Sequence, residues 1–318
     1  MKKKIITALL CVFLCATFSA CTGGDPQEAT ETLNDGEPLV IGTLPDTQAI
    51  PFIVAQHLGY FEAENVDVKI EAFTSAADRD SAIQSNAVNA VTTDLIAVTL
   101  FRQSDLDLEV ILSTDGSQQI LASAKSNITS IEELDGKTLT LSENTIMDYA
   151  SDRILAHYGV AKDRVTYSYI PQITVRMEML INGSVDAATM PEPQVSVAKD
   201  SGATVLASSA DLGLNATCLA MLSTLTTDHP DAVAAFVRAY NKAVAYLNDT
   251  PPEEYMDWLI LEAGFPESVG GTIILPVYRE ATVPTEGDVA DVLDWMTKRG
   301  LLTADLTYDD LVNIEFAR

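Results

Sequence analysis

The residues of this chain best suited to contact a ligand are small polar groups that directly follow predicted strands. Most are hydroxyls, amides or carboxylates: Asp46, Thr47, Gln48, Thr74, Ser75, Thr93, Asp94, Ser117, Ser142, Asn144, Thr145, Met190 and Glu192. Ligands of open α/β sheets bind at the carboxyl ends of the strands, so these positions could line one binding site. Helix capping or turn formation alone is the alternative role for each of them.

The charges near these strand ends are mostly negative. Carboxylates stand at four of the positions, namely Asp46, Asp94, Glu143 and Glu192. Arg79 and Arg176 come early in predicted helices and could reach inward, but we predict that each is solvated or structural. A site rich in acceptors favours a ligand with N–H donors or positive charge. The pattern therefore predicts an aminopyrimidine, an amine or a protonated heterocycle in preference to a sulfonate or nitrate.

A second kind of contact is available at the start of the helix predicted over 145–158. Ser142, Asn144 and Thr145 lie at its N-terminus, where side-chain oxygens cap the helix. Free backbone N–H groups at the same place can hold an anionic or carbonyl oxygen.

A short phrase of sequence occurs twice, 97 residues apart, at 84–94 and 181–191. Each copy has the form of a helix end, a tight turn, a short buried strand and a polar exit. Asn86 and Gly183 fall where the helix must turn left-handed, and Asn and Gly tolerate that conformation. Two copies predict two similar lobes that face one ligand. Chance resemblance between two ordinary strand–helix units is the alternative.

The elements that position these residues alternate between strands and helices from residue 38 to about 222. Strands are predicted at 39–44, 66–73 and 138–142, and one helix is predicted over 50–62. After Pro230 the chain is almost wholly helical, with the last helix over 308–316. This order predicts an α/β protein with mainly parallel sheets, helices on both faces and a helical C-terminal region.

The pattern divides the chain into five segments. Residues 1–20 are a signal peptide, 21–37 a flexible tether, 38–123 the first lobe and 124–216 the second lobe. Residues 217–318 return to the first lobe and add the C-terminal helices. Two crossings between lobes would form a hinge with the ligand in the cleft.

The first twenty residues read as an export signal. Lys2-Lys3-Lys4 is followed by an apolar stretch at 5–16 that is too short for a membrane span, and small residues precede Cys21. This resembles a bacterial lipoprotein signal, which implies lipidation of Cys21 and anchoring on the extracytoplasmic side of the membrane. A plain secretory signal is the alternative.

Composition narrows the partners further. The net charge of −27 predicts a surface that repels nucleic acid. Beyond the signal and Cys21, Cys218 is the remaining cysteine, so the mature chain cannot form an internal disulfide. Its apolar neighbours predict that Cys218 is a small core residue.

Several segments resemble a known family. They are 54–62 (Val-Ala-Gln-His-Leu-Gly-Tyr-Phe-Glu), 134–138 (Leu-Asp-Gly-Lys-Thr), 182–187 (Asn-Gly-Ser-Val-Asp-Ala) and 229–233 (His-Pro-Asp-Ala-Val). In this order they resemble type II periplasmic solute-binding proteins of ABC importers, in the nitrate, alkanesulfonate, taurine and thiamine-pyrimidine-precursor branch. The resemblance implies a monomeric two-lobed receptor that closes on a small-molecule solute and delivers it to permease and ATPase subunits.

Enzymatic motifs do not emerge from the sequence. His57, His157 and His229 are far apart without metal-ligand spacing, and no Gly-x-Ser-x-Gly elbow occurs. We therefore predict a binding protein with no catalytic residue, metal or cofactor. Two alternatives stay open: a lipid-anchored sensor that binds solute without transport, and an enzyme of the same fold.

Overall fold

The computed structural model describes residues 37–317. The predicted signal peptide, Cys21 and nearly all of the predicted tether lie outside these residues. The strands are β1 (Leu39–Thr43), β2 (Val68–Ala72), β3 (Ala90–Asp94), β4 (Leu108–Ser113), β5 (Gln119–Ala122), β6 (Thr138–Leu141), β7 (Thr166–Tyr169), β8 (Ala187–Met190), β9 (Thr204–Ser208) and β10 (Thr217–Leu222).

Helices follow most of these strands. They are α1 (Ile50–His57), α2 (Tyr60–Ala63), α3 (Ala76–Gln84), α4 (Leu95–Gln103), α5 (Ile146–His157), α6 (Ile173–Ile181), α7 (Gln194–Asp200), α8 (Ser223–Asp228), α9 (Pro230–Asp249), α10 (Met256–Glu262), α11 (Glu286–Lys298) and α12 (Tyr308–Leu311). None of the helices within residues 37–317 is both long and apolar enough to cross a bilayer.

The strands of the described chain form two sheets with the same arrangement. The first has the order β2-β1-β3-β10-β4 and the second the order β7-β6-β8-β5-β9. Most strands of each sheet run the same way, while β10 in the first and β5 in the second run antiparallel to both neighbours. The predicted α/β fold with mainly parallel sheets is confirmed, with one reversed strand in each sheet.

One boundary in the predicted division of the chain is wrong. We placed the strand near residue 119 at the end of the first lobe, which we ended at residue 123. The structure pairs β5 with β8 and β9 in the second sheet instead. The chain thus crosses between the sheets at 114–118, directly after β4, and β10 brings it back to the first sheet after a second crossing at 209–216. We call the parts built on the two sheets the first half and the second half.

The repeated phrase occupies corresponding places in the two halves. Helices α3 and α6 end at Gln84 and Ile181, 97 residues apart. Asn86 and Gly183, which follow them, both have the predicted left-handed backbone, with φ of 57° and 67°. The strands that follow are β3 and β8, the central strands of their sheets. The repeat therefore reflects a shared strand–helix arrangement.

Two predicted helices are shorter than expected. The helix predicted over 50–62 is divided into α1 and α2, because Gly59 between them adopts a left-handed conformation with φ of 69°. The helix predicted over 308–316 ends at Leu311, since Val312 instead pairs with Val110 beside β4.

The largest helix closes the core of the first half. Helix α9 carries apolar residues at helical spacing, and its Phe236 packs between the rings of Phe52 and Phe61, with centroids 5.7 and 5.3 Å away. Phe236 is fully buried, which contributes about 2–3 kcal/mol to stability. Cys218 on β10 is also fully buried, as predicted, and burial raises the pKa of its thiol.

Candidate functional site

A small cavity lined by both polar and apolar side chains lies between the carboxyl ends of the two sheets. Its volume is ≈ 40 Å³, enough for a few water molecules but not for an organic solute. Both halves contribute to its lining: Leu44, Asp46, Gln48, Ala76, Arg79, Thr93 and Asp94 from the first, and Ser142, Thr145, Ile146, Met147, Pro171, Ile173 and Arg176 from the second. We call it the inner cavity.

Two further cavities adjoin the same boundary between the halves. One, of ≈ 190 Å³, shares Arg79, Asp94 and Thr145 with the inner cavity and also contacts Asn144. The other, which we call the rear cavity, has ≈ 440 Å³ and is lined by both chain crossings. A larger cavity of ≈ 650 Å³ lies at the opposite ends of the first sheet, away from the predicted site residues.

The structure divides the predicted site residues among these places. The inner cavity receives Asp46, Gln48, Thr93, Asp94, Ser142 and Thr145. The rear cavity receives Thr47, Ser117 and Glu192. The wall between them includes Gln48, which packs so closely on Gly116 that a Cβ there would lie 2.7 Å from Gln48 Cγ.

Three predicted residues lie at none of these cavities. Ser75 caps α3, since its Oγ accepts a hydrogen bond from Asp78 N at 3.2 Å. Thr74 is exposed, and its Oγ1 donates to Asp78 Oδ2 at 3.4 Å. Met190 is fully buried in an apolar cluster with Leu180 and Val195, because it lies on the core-facing side of β8.

Asp94 connects the two halves. Its Oδ1 caps α4 by accepting from Ala97 N at 2.9 Å, and its Oδ2 accepts from Ile146 N, the first residue of α5, at 3.2 Å. One carboxylate thus sits at the positive ends of two helices from different halves. Burial raises the pKa of Asp94, against the opposing effects of the hydrogen bond from Ala97 and the charge of Arg79.

Asp46 is the second buried carboxylate at the inner cavity. Its oxygens accept from Gln48 N at 2.9 Å and Gln48 Nε2 at 3.1 Å, while Gln48 Oε1 accepts from Thr114 Oγ1 at 2.8 Å. Burial raises the pKa of Asp46 to about 6, although these hydrogen bonds act in the opposite direction.

The pKa of Asp46 leads to a testable pH dependence. Because the folded-state pKa lies above the unfolded value of 3.8, Asp46 favours folding most below about pH 4, and this contribution is lost as the pH rises to about 6. In wild type this lowers the free energy of unfolding by on the order of 3 kcal/mol between about pH 4 and about pH 6 and above, because the pKa is raised by about two units. Asp46→Asn should abolish this pH dependence. Urea unfolding between pH 4 and 7.5 measures it. The exposed Asp163→Asn is the control, and parallel stability curves for wild type and Asp46→Asn would contradict the assignment.

Arg79 and Arg176, predicted to be solvated or structural, are both buried at the inner cavity, so neither is solvated. Arg79 is paired: its Nε and Nη2 donate to Asp80 Oδ1 at 2.9 and 2.6 Å, and its Nη1 donates to the Thr92 carbonyl at 2.8 Å. Asp80 is itself partly exposed, so water helps to stabilise this pair.

Arg176 has no such counter-ion. It is 0% exposed, and its Nη1 donates to Ser142 Oγ at 2.6 Å and to the carbonyls of Ile170 and Pro171 at 2.6 and 3.0 Å. Within residues 37–317 no carboxylate lies within 4.0 Å of its guanidinium, and its buried Nε has no hydrogen-bond partner there. Burial lowers its pKa to about 10, so it remains charged at neutral pH.

The inner cavity therefore offers an unneutralised positive charge together with open hydrogen-bonding capacity. Burying an unpaired ion costs several kcal/mol, and a ligand anion would offset that cost. The buried Thr93 hydroxyl also lacks a partner within the described chain and lines the same cavity. Opposite Arg176, Asp46 and Asp94 present carboxylate oxygens to donors. The arrangement suits a small ligand with an anionic group and N–H groups.

A signal for the arginines was present in the sequence. Arg79 and Arg176 are 97 residues apart, the spacing of the repeated phrase, and each is the fourth residue of its helix. At the position of Asp80, the same spacing leads to Met177 in the second half. Both halves therefore have an arginine at this helix position, but only the first half has an acidic residue, Asp80, directly after it.

Groups of side chains that could hold a metal ion were not found among residues 37–317.

Comparison with known proteins gives a family match. A family model described as NMT1/THI5 like matches residues 46–254. A Bacillus subtilis (strain 168) protein named for binding aliphatic sulfonates is 25% identical over 256 residues, covering 77% of this chain and 74% of that protein. The riboflavin-binding protein RibY of Chloroflexus aurantiacus is 26% identical over 271 residues, covering 80% and 77%.

Solved structures show the same fold. The alkanesulfonate-binding protein SsuA from Xanthomonas axonopodis pv. citri, bound to MOPS, aligns with a TM-score of 0.74 at 19% identity, covering 87% of this chain and 98% of that one. The desulfurization enzyme DSZB aligns with a TM-score of 0.63 at 14% identity, covering 87% and 97%. The fold is that of type II periplasmic binding proteins, and it serves both binding proteins and an enzyme.

Proposed function

Since the chain belongs to the NMT1/THI5-like family, we propose that it is the solute-binding component of an ABC importer. The sequence relatives named above are binding proteins, and the inner cavity lies between two halves joined by two chain crossings. The solute binds where the halves meet, and they separate to admit it, because a cavity of ≈ 40 Å³ is far below the several hundred Å³ typical of ligand sites.

The solute is a small molecule with an anionic group held by Arg176 and N–H donors that meet Asp46 and Asp94. The observation that carries this proposal is the buried Arg176 guanidinium without a counter-ion. It reverses the order favoured by the sequence, which placed an aminopyrimidine ahead of a sulfonate. An aminoalkanesulfonate satisfies both sets of groups and agrees with the name of the Bacillus relative.

Calorimetry with the purified protein tests the solute class. An aminoalkanesulfonate, an unsubstituted alkanesulfonate, an aminopyrimidine and nitrate form the panel. We expect the strongest binding from the aminoalkanesulfonate and weaker binding from the alkanesulfonate. Binding of the uncharged aminopyrimidine with no response to either sulfonate would overturn the proposal for Arg176.

Within this proposal the protein is extracytoplasmic, anchored through lipid on Cys21, monomeric and without catalytic activity, and it delivers its solute to permease and ATPase subunits. Support comes from the sequence of residues 1–21 and from the named relatives.

The anchor gives a prediction of its own. Cys21→Ala should move the protein from the membrane fraction to the soluble fraction, because the thiol that would carry the lipid is lost. Fractionation followed by immunoblotting measures this, and Cys218→Ala, at a fully buried cysteine, should stay with the membrane. Unchanged membrane association of Cys21→Ala would refute lipidation at this residue.

A further inference from the structure

Helix α11, near the C-terminus, belongs to the first half. Its Val292 and Met296 pack in an apolar cluster that includes residues of both α4 and α5, and α4 is its main neighbouring helix. Beyond α11, the Leu301 carbonyl accepts from Gln103 Nε2 at the end of α4 at 3.1 Å. Farther on, Asn313 N donates to the Val110 carbonyl of β4 at 3.0 Å. The whole C-terminal segment is thus fixed to the first sheet.

The adjacent face of α11 is bound to the second half by two forked ion pairs. Arg153 on α5 donates from Nε and Nη2 to the two oxygens of Asp291 at 2.9 and 2.7 Å. Arg299, just after α11, contacts the two oxygens of Asp148 on α5 at 3.0 and 2.8 Å. Forked pairs of this kind are geometrically specific and stronger than single hydrogen bonds.

Aromatic packing seals the same contact. The rings of Tyr149 on α5 and Trp295 on α11 meet edge to face with centroids 5.6 Å apart, and they are 2% and 4% exposed. Trp295 Nε1 also donates to Asp152 Oδ2 at 2.9 Å. We call this set of residues on α5, α11 and Arg299 the flank contact.

Elsewhere the halves share fewer hydrogen bonds and no ion pair within residues 37–317, although α7 also packs against Glu267–Gly271. Across the inner cavity, Ile146 N donates to Asp94 Oδ2 at 3.2 Å. On the other flank, Ser196 Oγ donates to the Thr272 carbonyl at 3.4 Å.

Breaking the flank contact would expose two large rings and remove the forked pair of Arg299 from the fully buried Asp148 carboxylate, which would keep Lys162 Nζ at 3.6 Å as its cation. This costs more than losing the single hydrogen bonds found elsewhere between the halves.

We propose that the flank contact stays intact when the cleft opens, as a third, non-covalent connection beside the crossings at 114–118 and 209–216. The halves then separate at the side of α3 and α6, where Ala76 and Ile173 border the inner cavity. Asp148 also accepts from Asn144 N at 3.0 Å, so the flank contact holds the loop 142–145 that lines the cavity. The inference rests on the proposed function in one respect, that the cleft must open.

Spin-label distance measurements without any solute test the inference. Labels at Ala156→Cys and Thr297→Cys span the flank contact, and labels at Ala77→Cys and Thr174→Cys span the side of α3 and α6; all four positions are exposed. The mature chain with Cys21→Ser is suitable, because Cys218 is fully buried. We expect one narrow distance distribution for the first pair and a broad or two-peaked distribution for the second.

Removal of Arg153 and Arg299 by alanine should broaden the first distribution at least twofold in width. Arg238→Ala, which removes an ion pair with Glu64 inside the first half, should leave it unchanged. A first pair as broad as the second, two narrow pairs, or a first pair that stays narrow without the two arginines would each overturn the inference. None of these outcomes depends on the identity of the solute.

Discussion

Arg176→Gln is expected to weaken binding of an anionic solute by about 100-fold or more while the protein stays folded. Removing one partner of a buried charge pair costs about 3–5 kcal/mol, and each 1.4 kcal/mol corresponds to a factor of ten. Since the guanidinium has no counter-ion within the described chain, its loss should leave the free energy of unfolding unchanged or higher. Calorimetry with an aminoalkanesulfonate and urea unfolding measure the two quantities.

A second variant separates the charge of Arg176 from its packing. Met177→Asp places a carboxylate where the first half has Asp80, and it should weaken anion binding about tenfold or more because Arg176 gains an internal partner. Met177 is half-buried beside the cluster that contains Leu180, so Met177→Leu controls for lost packing. Wild-type affinity in both Arg176→Gln and Met177→Asp would show that the anion does not bind at Arg176.

Asp94→Ala is expected to weaken solute binding about tenfold, whereas Glu192→Ala should change it less than threefold. The sequence predicted both as ligand-binding residues, because they stand at the polar ends of the two copies of the repeated phrase. The structure separates them: Asp94 lines the inner cavity, while Glu192 lines the rear cavity and accepts from Ser196 N at 3.0 Å. Calorimetry on the two variants therefore shows which cavity receives the solute.

Stability must be controlled in this comparison, because Asp94 also caps α4. Loss of a cap costs about 1 kcal/mol, so Asp94→Ala should unfold at slightly lower urea concentration without losing its cooperative transition. Asp94→Asn keeps an oxygen for Ala97 N and isolates the effect of charge. A larger loss of affinity in Glu192→Ala than in Asp94→Ala would place the solute in the rear cavity.

Local sequence patterns correctly predicted the strands, turns and helix starts that surround the candidate site. The repeated phrase predicted two similar strand–helix units, and the left-handed turns at Asn86 and Gly183 follow from residue type alone. Cap-forming residues such as Asp94 and Thr145 do begin helices at the strand ends. These features depend on neighbours within a few residues, which is why they can be read directly from the chain.

The parts that failed depend on contacts distant in sequence. Propensity does not reveal that Arg176 turns inward, since its side-chain partner Ser142 lies 34 residues away in the sequence. The assignment of β5 to the second sheet depends on pairing with β8 and β9. Thr47 and Gln48 are adjacent in the chain yet line different cavities, and the packing of Gln48 against Gly116 forms part of the wall between them.

Asp80 follows the arginine of the first half, whereas Met177 follows the arginine of the second, so the two halves offer a solute different charges. In the first half, Asp80 neutralises Arg79, and Asp46 and Asp94 offer acceptor oxygens. In the second half, Arg176 has no counter-ion within residues 37–317. Under the proposed function, a solute bound between them lies with its negative end against Arg176 of the second half. Residues of the second half would then select the anionic group of the solute, and residues of the first half would select the rest of the molecule. Substitutions in one half could change which molecule is accepted without redesigning the other.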